Sequence, residues 1–155
     1  MLAALVGTPL GGYIADRWFL RQKKGRLLLG FISSLLSAAL LFAIFMVPPG
    51  PLQYVLFILM GATIAAYTPG AAAVTQDVVH PGLRAISYSL CVVVQHILGS
   101  TLGPVFVGAV SDASNIQTAL SILPAFVVVS AILFLVASFF YEKDLARVER
   151  VALQT

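Results

Sequence analysis

The nine Lys and Arg residues of this 155-residue chain fall in three short polar stretches, and long segments without a single cation separate them. Arg17, Arg21, Lys23, Lys24 and Arg26 form the first stretch, Arg84 stands alone in the second, and Lys143, Arg147 and Arg150 form the third. Two hydrophobic segments lie between the first stretch and the second, and two more between the second and the third. Each passage therefore crosses a bilayer and returns, so all three basic stretches lie on one side. The positive-inside rule makes that side cytoplasmic. The expectation is an all-α, polytopic transmembrane bundle.

Composition excludes the alternatives. The chain is 60% hydrophobic and only 10% charged, whereas a soluble domain has about a quarter of its residues charged. A mean hydropathy of +1.01 is too high for a water-soluble fold to cover itself. The net charge of +3 does not point to nucleic acid, because the cations flank apolar spans and form no exposed stripe with interleaved aromatics. Cys91 is the single cysteine, which excludes an internal disulfide framework and a multi-Cys metal site. It reads as a small apolar core residue.

The apolar pattern gives four complete spans and one partial span. Leu27 to Val47 is nearly uninterrupted, and at about 1.5 Å per residue it crosses a hydrocarbon core of about 30 Å. Pro48, Pro49, Gly50 and Pro51 end it in a tight uncharged turn. Leu52 to Val79 follows, broken at Thr68-Pro69-Gly70 and closed by His80-Pro81-Gly82. Ala85 to Val110 ends in Ser111-Asp112, and Ala119 to Tyr141 is the last, with Tyr141 placed at the aromatic belt. Residues 1–141 form the membrane bundle, and 142–155 a charged cytoplasmic tail. Met1 to Ala15 is too short to span with margin, and Gly7, Pro9, Gly11 and Gly12 weaken it further. It also lacks the basic start of a signal peptide. The simplest account is that Met1 is not the natural start and the chain is the tail of a longer protein.

The strongest motif is Gly11-Gly12-Tyr13-Ile14-Ala15-Asp16-Arg17, followed by a basic stretch and Gly25-Arg26 at the head of an apolar helix. Glycines at a helix end let a neighbouring backbone approach, and an Asp followed by cations can pair with them or with a helix N-terminus. Gly12, Asp16, Arg17 and Arg26 are therefore candidates for a charge-latched joint.

This pattern resembles the major facilitator superfamily, whose short loop of Gly, Ala-Asp-Arg and a basic Gly-Arg is matched by Gly12, Ala15, Asp16, Arg17, Gly25 and Arg26. Trp18 to Lys24 are inserted relative to the compact form. Gln95 to Gly99, Gly103-Pro104, Gly108 and Ser111-Asp112 resemble the eleventh helix of the Spinster-like branch and related organic-anion carriers. Asp77, Pro81, Arg84 and Ala85 resemble its preceding loop, and Tyr141 to Leu145 its cytoplasmic end; Ser100 stands where that branch carries an acid. The resemblance implies the C-terminal half of a twelve-helix carrier, from late helix eight to helix twelve. It also implies that Leu27 to Val47 and Ala119 to Tyr141 are peripheral and lipid-facing, while the two middle spans face the cavity and the other half.

Those middle spans hold most of the polar groups and prolines. Pro69 removes a backbone donor and Gly70 adds freedom, so a kink is expected beside Tyr67 and Thr68. Broken helices at that depth are where transporters place substrate, which makes Tyr67 and Thr68 candidate lining residues. Thr68 can equally serve a freed carbonyl while Tyr67 packs. At about 100° per residue Ser89, His96, Gly99, Ser100 and Gly103 share one arc, expected to press on another helix, with Pro104 and then Gly108 beyond it. His96, with Gln95 beside it, is a candidate for substrate or proton contact, or a neutral interface histidine.

No enzyme constellation, metal site, cofactor motif or phosphate-cradling loop emerges. The expectation is a bacterial inner-membrane secondary transporter, working by alternating access on a small organic solute, with or without a coupled ion. Its partners are the lipid bilayer, an N-terminal half and the solute. The alternative is a non-transporting truncated or accessory membrane protein that docks on other helices.

Overall fold

The computed structural model describes the backbone of residues 2–152 and the side chains of residues 5–148, so Met1 and the Arg150 side chain lie outside the description. Its elements are helices α1 (Leu2–Arg21), α2 (Gly25–Met46), α3 (Pro51–Asp77), α4 (Arg84–Gln95), α5 (Leu102–Ala113), α6 (Ile116–Ser121) and α7 (Leu123–Ala152). A 3-10 turn at Pro81–Leu83 precedes α4, and a π-helical segment, His96–Thr101, joins α4 to α5. Four stretches are long and apolar enough to cross a membrane: Gly25–Met46, Pro51–Asp77, Pro81–Ala113 and Ile116–Val148. The all-helical, four-span expectation stands.

Several boundaries move for identifiable reasons. The basic stretch after Asp16 is not a loop: α1 continues to Arg21, and only Gln22, Lys23 and Lys24 separate it from α2. Trp18 to Arg21 are thus absorbed as extra helix, and Gln22 to Lys24 make the turn. Gly25 makes the tight return possible, because a Cβ there would lie 2.5 Å from the carbonyl carbon of Trp18. At the other end of α2, Pro51 opens α3 at its first turn, where its missing N–H has no helical partner to lose.

The expected break at Thr68-Pro69-Gly70 is absent, and α3 runs helical through Pro69. Pro69 packs beneath Gly12, whose added Cβ would be 3.6 Å from the proline Cγ. Gly70 is buried between Ala15 and the start of α2, with ordinary contacts, so it serves close packing rather than bending. Thr68 donates from its hydroxyl to the Ile64 carbonyl at 3.2 Å, whereas the carbonyl that Pro69 leaves without its helical donor is that of Ala65. The irregular segment falls one span later. The proline ring of Pro104 crowds the carbonyl four residues earlier, and the π-helical His96–Thr101 widens the helix just ahead of it.

Among the described spans α2 has the largest buried share. It packs between α3 and α7, and 44% of its apolar window is buried, against 0% for Pro81–Ala113. One face carries Gly30, Ser33, Ser34, Ser37 and Ala38, all buried, while Ile32, Leu35, Leu36 and Phe42 on other faces are exposed. Lipid is as apolar as leucine, so helices in a bilayer associate through small residues and interhelical hydrogen bonds rather than through large apolar groups. Gly30 accordingly admits the Phe134 ring of α7, and the Ser37 hydroxyl bonds to that of Thr63 on α3 at 2.8 Å. The α1–α3 seam uses the same device: Gly7 and Gly11, one turn apart, lie against the backbone of Ala62 and Ala66.

The final helix runs on past the expected tail boundary to Ala152. Leu145 is buried with Leu27 and Tyr141, and Phe19, Val74, Val78 and Phe134 pack around them. Tyr141, expected at the lipid interface, is therefore a core residue whose hydroxyl donates to Asp77 at 2.9 Å. Tyr141→Phe removes a hydrogen bond to a charged acceptor and is expected to cost about 1.5–3 kcal/mol. Thermal unfolding of the purified protein in detergent measures this, and an unchanged midpoint would refute the bond's contribution.

Candidate functional site: a charge knot and an uncharged cavity

Arg26 sits in the first turn of α2, aimed back across the ends of the neighbouring helices. Its guanidinium donates to Asp16 of α1 at 2.8 Å and to Asp77 at the end of α3. The Tyr141 hydroxyl of α7 also donates to Asp77. One cation, two carboxylates and a tyrosine hydroxyl thus tie α1, α2, α3 and α7 together. The planar fork of arginine suits this, since it can serve two carboxylates at once where a lysine offers a point charge. The guanidinium stacks on the Phe19 ring at 4.1 Å, and its buried Nε has no hydrogen-bond partner among the described residues.

Of the four residues the motif singled out, the structure joins Asp16 and Arg26 directly. Gly12 lies one turn away under Pro69. Arg17 instead donates to the Tyr13 hydroxyl at 2.8 Å on an exposed face of α1. Asp77 and Tyr141 complete the knot and were not identified in that role, because they are 51 residues from Arg26 and 64 residues from Asp77 respectively. Lys24 pairs with Glu142 at 3.3 Å at the same end, and Ser87 of α4 bonds to the Thr75 carbonyl at 2.8 Å. The first basic stretch, the α3–α4 connection and the charged part of α7 are therefore gathered at one end of the bundle.

A cavity of about 570 Å³ opens between α3, α4 and α7, with Leu27 of α2 at one side. Tyr67, Thr68 and Gln95, three of the four candidate substrate residues, line it together. Tyr88, Cys91 and Ser130 add polar groups that sequence reasoning did not assign to a site, and Leu133 and Phe134 supply apolar wall. Tyr67 packs edge-on against Phe134, with ring centroids 5.6 Å apart. Cys91, expected in a core, is exposed on this lining. A heptad-like reading of α4 could have grouped Tyr88, Cys91 and Gln95, which recur at helical spacing.

His96 is not part of that lining. Its Nδ1 lies 3.3 Å from the Ser100 hydroxyl on an exposed face of the π-helical segment. Gly99, Gly103 and Gly108 have nothing within 4 Å of an added Cβ, so among the described residues no helix presses on that arc. Pro104 is likewise exposed.

The sequence profile of the Major Facilitator Superfamily matches residues 1–152, almost the whole chain. The chain belongs to the major facilitator superfamily. No curated protein sequence matches it. As a major facilitator chain with four apolar spans it is a multi-pass membrane protein of a transporter family. Asp16 and Arg26 pair although α1 runs on from Asp16 to Arg21 before the chain turns into α2.

Proposed function

We propose that this chain is the C-terminal part of a secondary active transporter that moves a small organic solute by alternating access, in the inner membrane, with its basic ends cytoplasmic. Superfamily membership over residues 1–152 carries the reading. The charge knot binds α1, α2, α3 and α7 into one group, and such a group is what a rocking mechanism moves as a unit against the other half. The bare face of Pro81–Ala113, with none of its window buried, supports packing against a further set of helices, the N-terminal half. The family match reaches the superfamily and gives no support to the Spinster-like branch, so the solute class follows from the cavity's chemistry. A non-transporting accessory role would use the same bare face, and uptake separates the two.

The test is uptake of labelled organic anions, sugars and uncharged amphiphiles into vesicles holding the intact protein, with a proton or sodium gradient imposed. Saturable uptake of one class, reduced by Arg26→Met, is expected. Uptake equal to empty vesicles for every class contradicts transport and favours the accessory role.

A further inference from the structure

The 570 Å³ cavity between α3, α4 and α7 has an unusual balance of chemistry for a space lined by membrane-spanning helices. Among the described residues no Lys, Arg, His, Asp or Glu lines it; Arg26 beside Leu27 and Asp77 beyond Thr75 are engaged in the knot, and His96 beside Gln95 with Ser100. Yet the Tyr67, Tyr88 and Ser130 hydroxyls and the Gln95 carboxamide all border it, and none makes a hydrogen bond within the described structure. Thr68 and Thr75, by contrast, donate to carbonyls of their own helix. Polar groups at membrane depth are costly unless they find partners, so four such groups around one apolar space mark a place where a ligand can supply them. Among the described residues a charged ligand would meet no counter-ion on this lining to offset its desolvation.

We infer that this cavity binds an uncharged amphiphile, a molecule with a hydroxyl- or amide-bearing end that meets Tyr67, Tyr88, Gln95 and Ser130 and an apolar body that lies along Leu133 and Phe134. The inference rests on the carrier reading only for what becomes of the ligand afterwards, since binding is measurable without transport. On that reading the solute carried is of this uncharged class rather than an organic anion.

Cys91 provides the reporter, being exposed and on the lining. The full chain in membrane vesicles is alkylated with N-ethylmaleimide in the presence of three octyl probes: monooctanoylglycerol, octyl sulfate and octyltrimethylammonium. A ligand at about four times its dissociation constant slows labelling of an occluded thiol about fivefold by mass action. Monooctanoylglycerol is expected to reach this at a concentration where the two charged probes change the rate less than about twofold. Gln95→Leu is expected to raise the concentration needed, and Leu98→Cys on a Cys91→Ser background, which places the thiol off the lining, should show no protection. Equal protection by all three probes, protection of the Leu98 position, or no protection at Cys91 would each overturn the inference. Protection without any uptake would leave the site standing and remove the carrier reading; uptake of an uncharged solute that does not protect Cys91 would do the reverse.

Discussion

Arg26→Met is expected to destabilise the protein by about 2–4 kcal/mol, between the small cost of losing an exposed ion pair and the larger cost of stranding a buried charge. The position of the estimate follows from exposure. The Arg26 side chain is 15% exposed and that of Asp77 23%, so removing the guanidinium leaves Asp77 with the Tyr141 hydroxyl as its remaining side-chain donor. Asp16 is 67% exposed and returns to water at little cost. Arg26→Lys should recover only part of the loss, because an ammonium cannot hold both carboxylates in the fork geometry or stack on Phe19 in the same way. Thermal unfolding in detergent, compared with Arg17→Met as an exposed control, reads the difference. Equal midpoints for the two methionine variants would show that the knot does not hold the helix ends together.

The second large effect belongs to a glycine. A Cβ at Gly11 would lie 2.0 Å from the Ala66 carbonyl oxygen and 2.3 Å from its Cα, closer than atoms can approach, and the obstacle is backbone. Gly11→Ala can be accommodated only by moving α1 away from α3, at a cost of at least about 1–3 kcal/mol as for other overpacked sites. Gly12→Ala and Gly99→Ala make the internal comparison: the first meets Pro69 at an ordinary 3.6 Å and the second meets nothing within 4 Å. Alanine is the better helix former by about 1 kcal/mol, so both should be neutral or mildly stabilising. If all three substitutions shift the unfolding midpoint alike, the α1–α3 seam is not as close as described.

These two sites also show what was legible in the sequence. The four spans were readable because about 20 apolar residues in a row admit one interpretation, and three cation clusters fixed which ends lie together. The loop motif marked Asp16 and Arg26, with Gly12 and Arg17, as parts of one latch, and left open which cation Asp16 meets. Asp77 and Tyr141 were not, since nothing local marks a carboxylate at one helix end and a tyrosine on another as partners of the same arginine. Gly7 went unused because the first segment was discounted for its glycines, although Gly7 and Gly11 stand at the spacing of a close helix seam. The apolar average of α2 hid its packed side: Ile32, Leu35, Leu36 and Phe42 are exposed, while Ser33, Ser34 and Ser37 mark the face that other helices cover. Pro69 attracted the expected break, but a proline held against a neighbouring helix can sit within continuous helix, and the distortion arose ahead of Pro104 instead. Of the candidate solute residues, Tyr67, Thr68 and Gln95 line one cavity, although the expected kink beside Tyr67 and Thr68 is absent and Gln95 was singled out only as the neighbour of His96. His96, one residue further on, turns away from it.

A carrier with one solute site exposed alternately to the two sides of the membrane shows counterflow. Vesicles holding the intact protein are loaded with unlabelled monooctanoylglycerol or a more soluble uncharged analogue and diluted into a trace of the same compound carrying a label. An alternating-access carrier predicts a transient accumulation of label above the outside concentration, abolished by omitting the internal load. Label that only equilibrates, with or without internal solute, would contradict it.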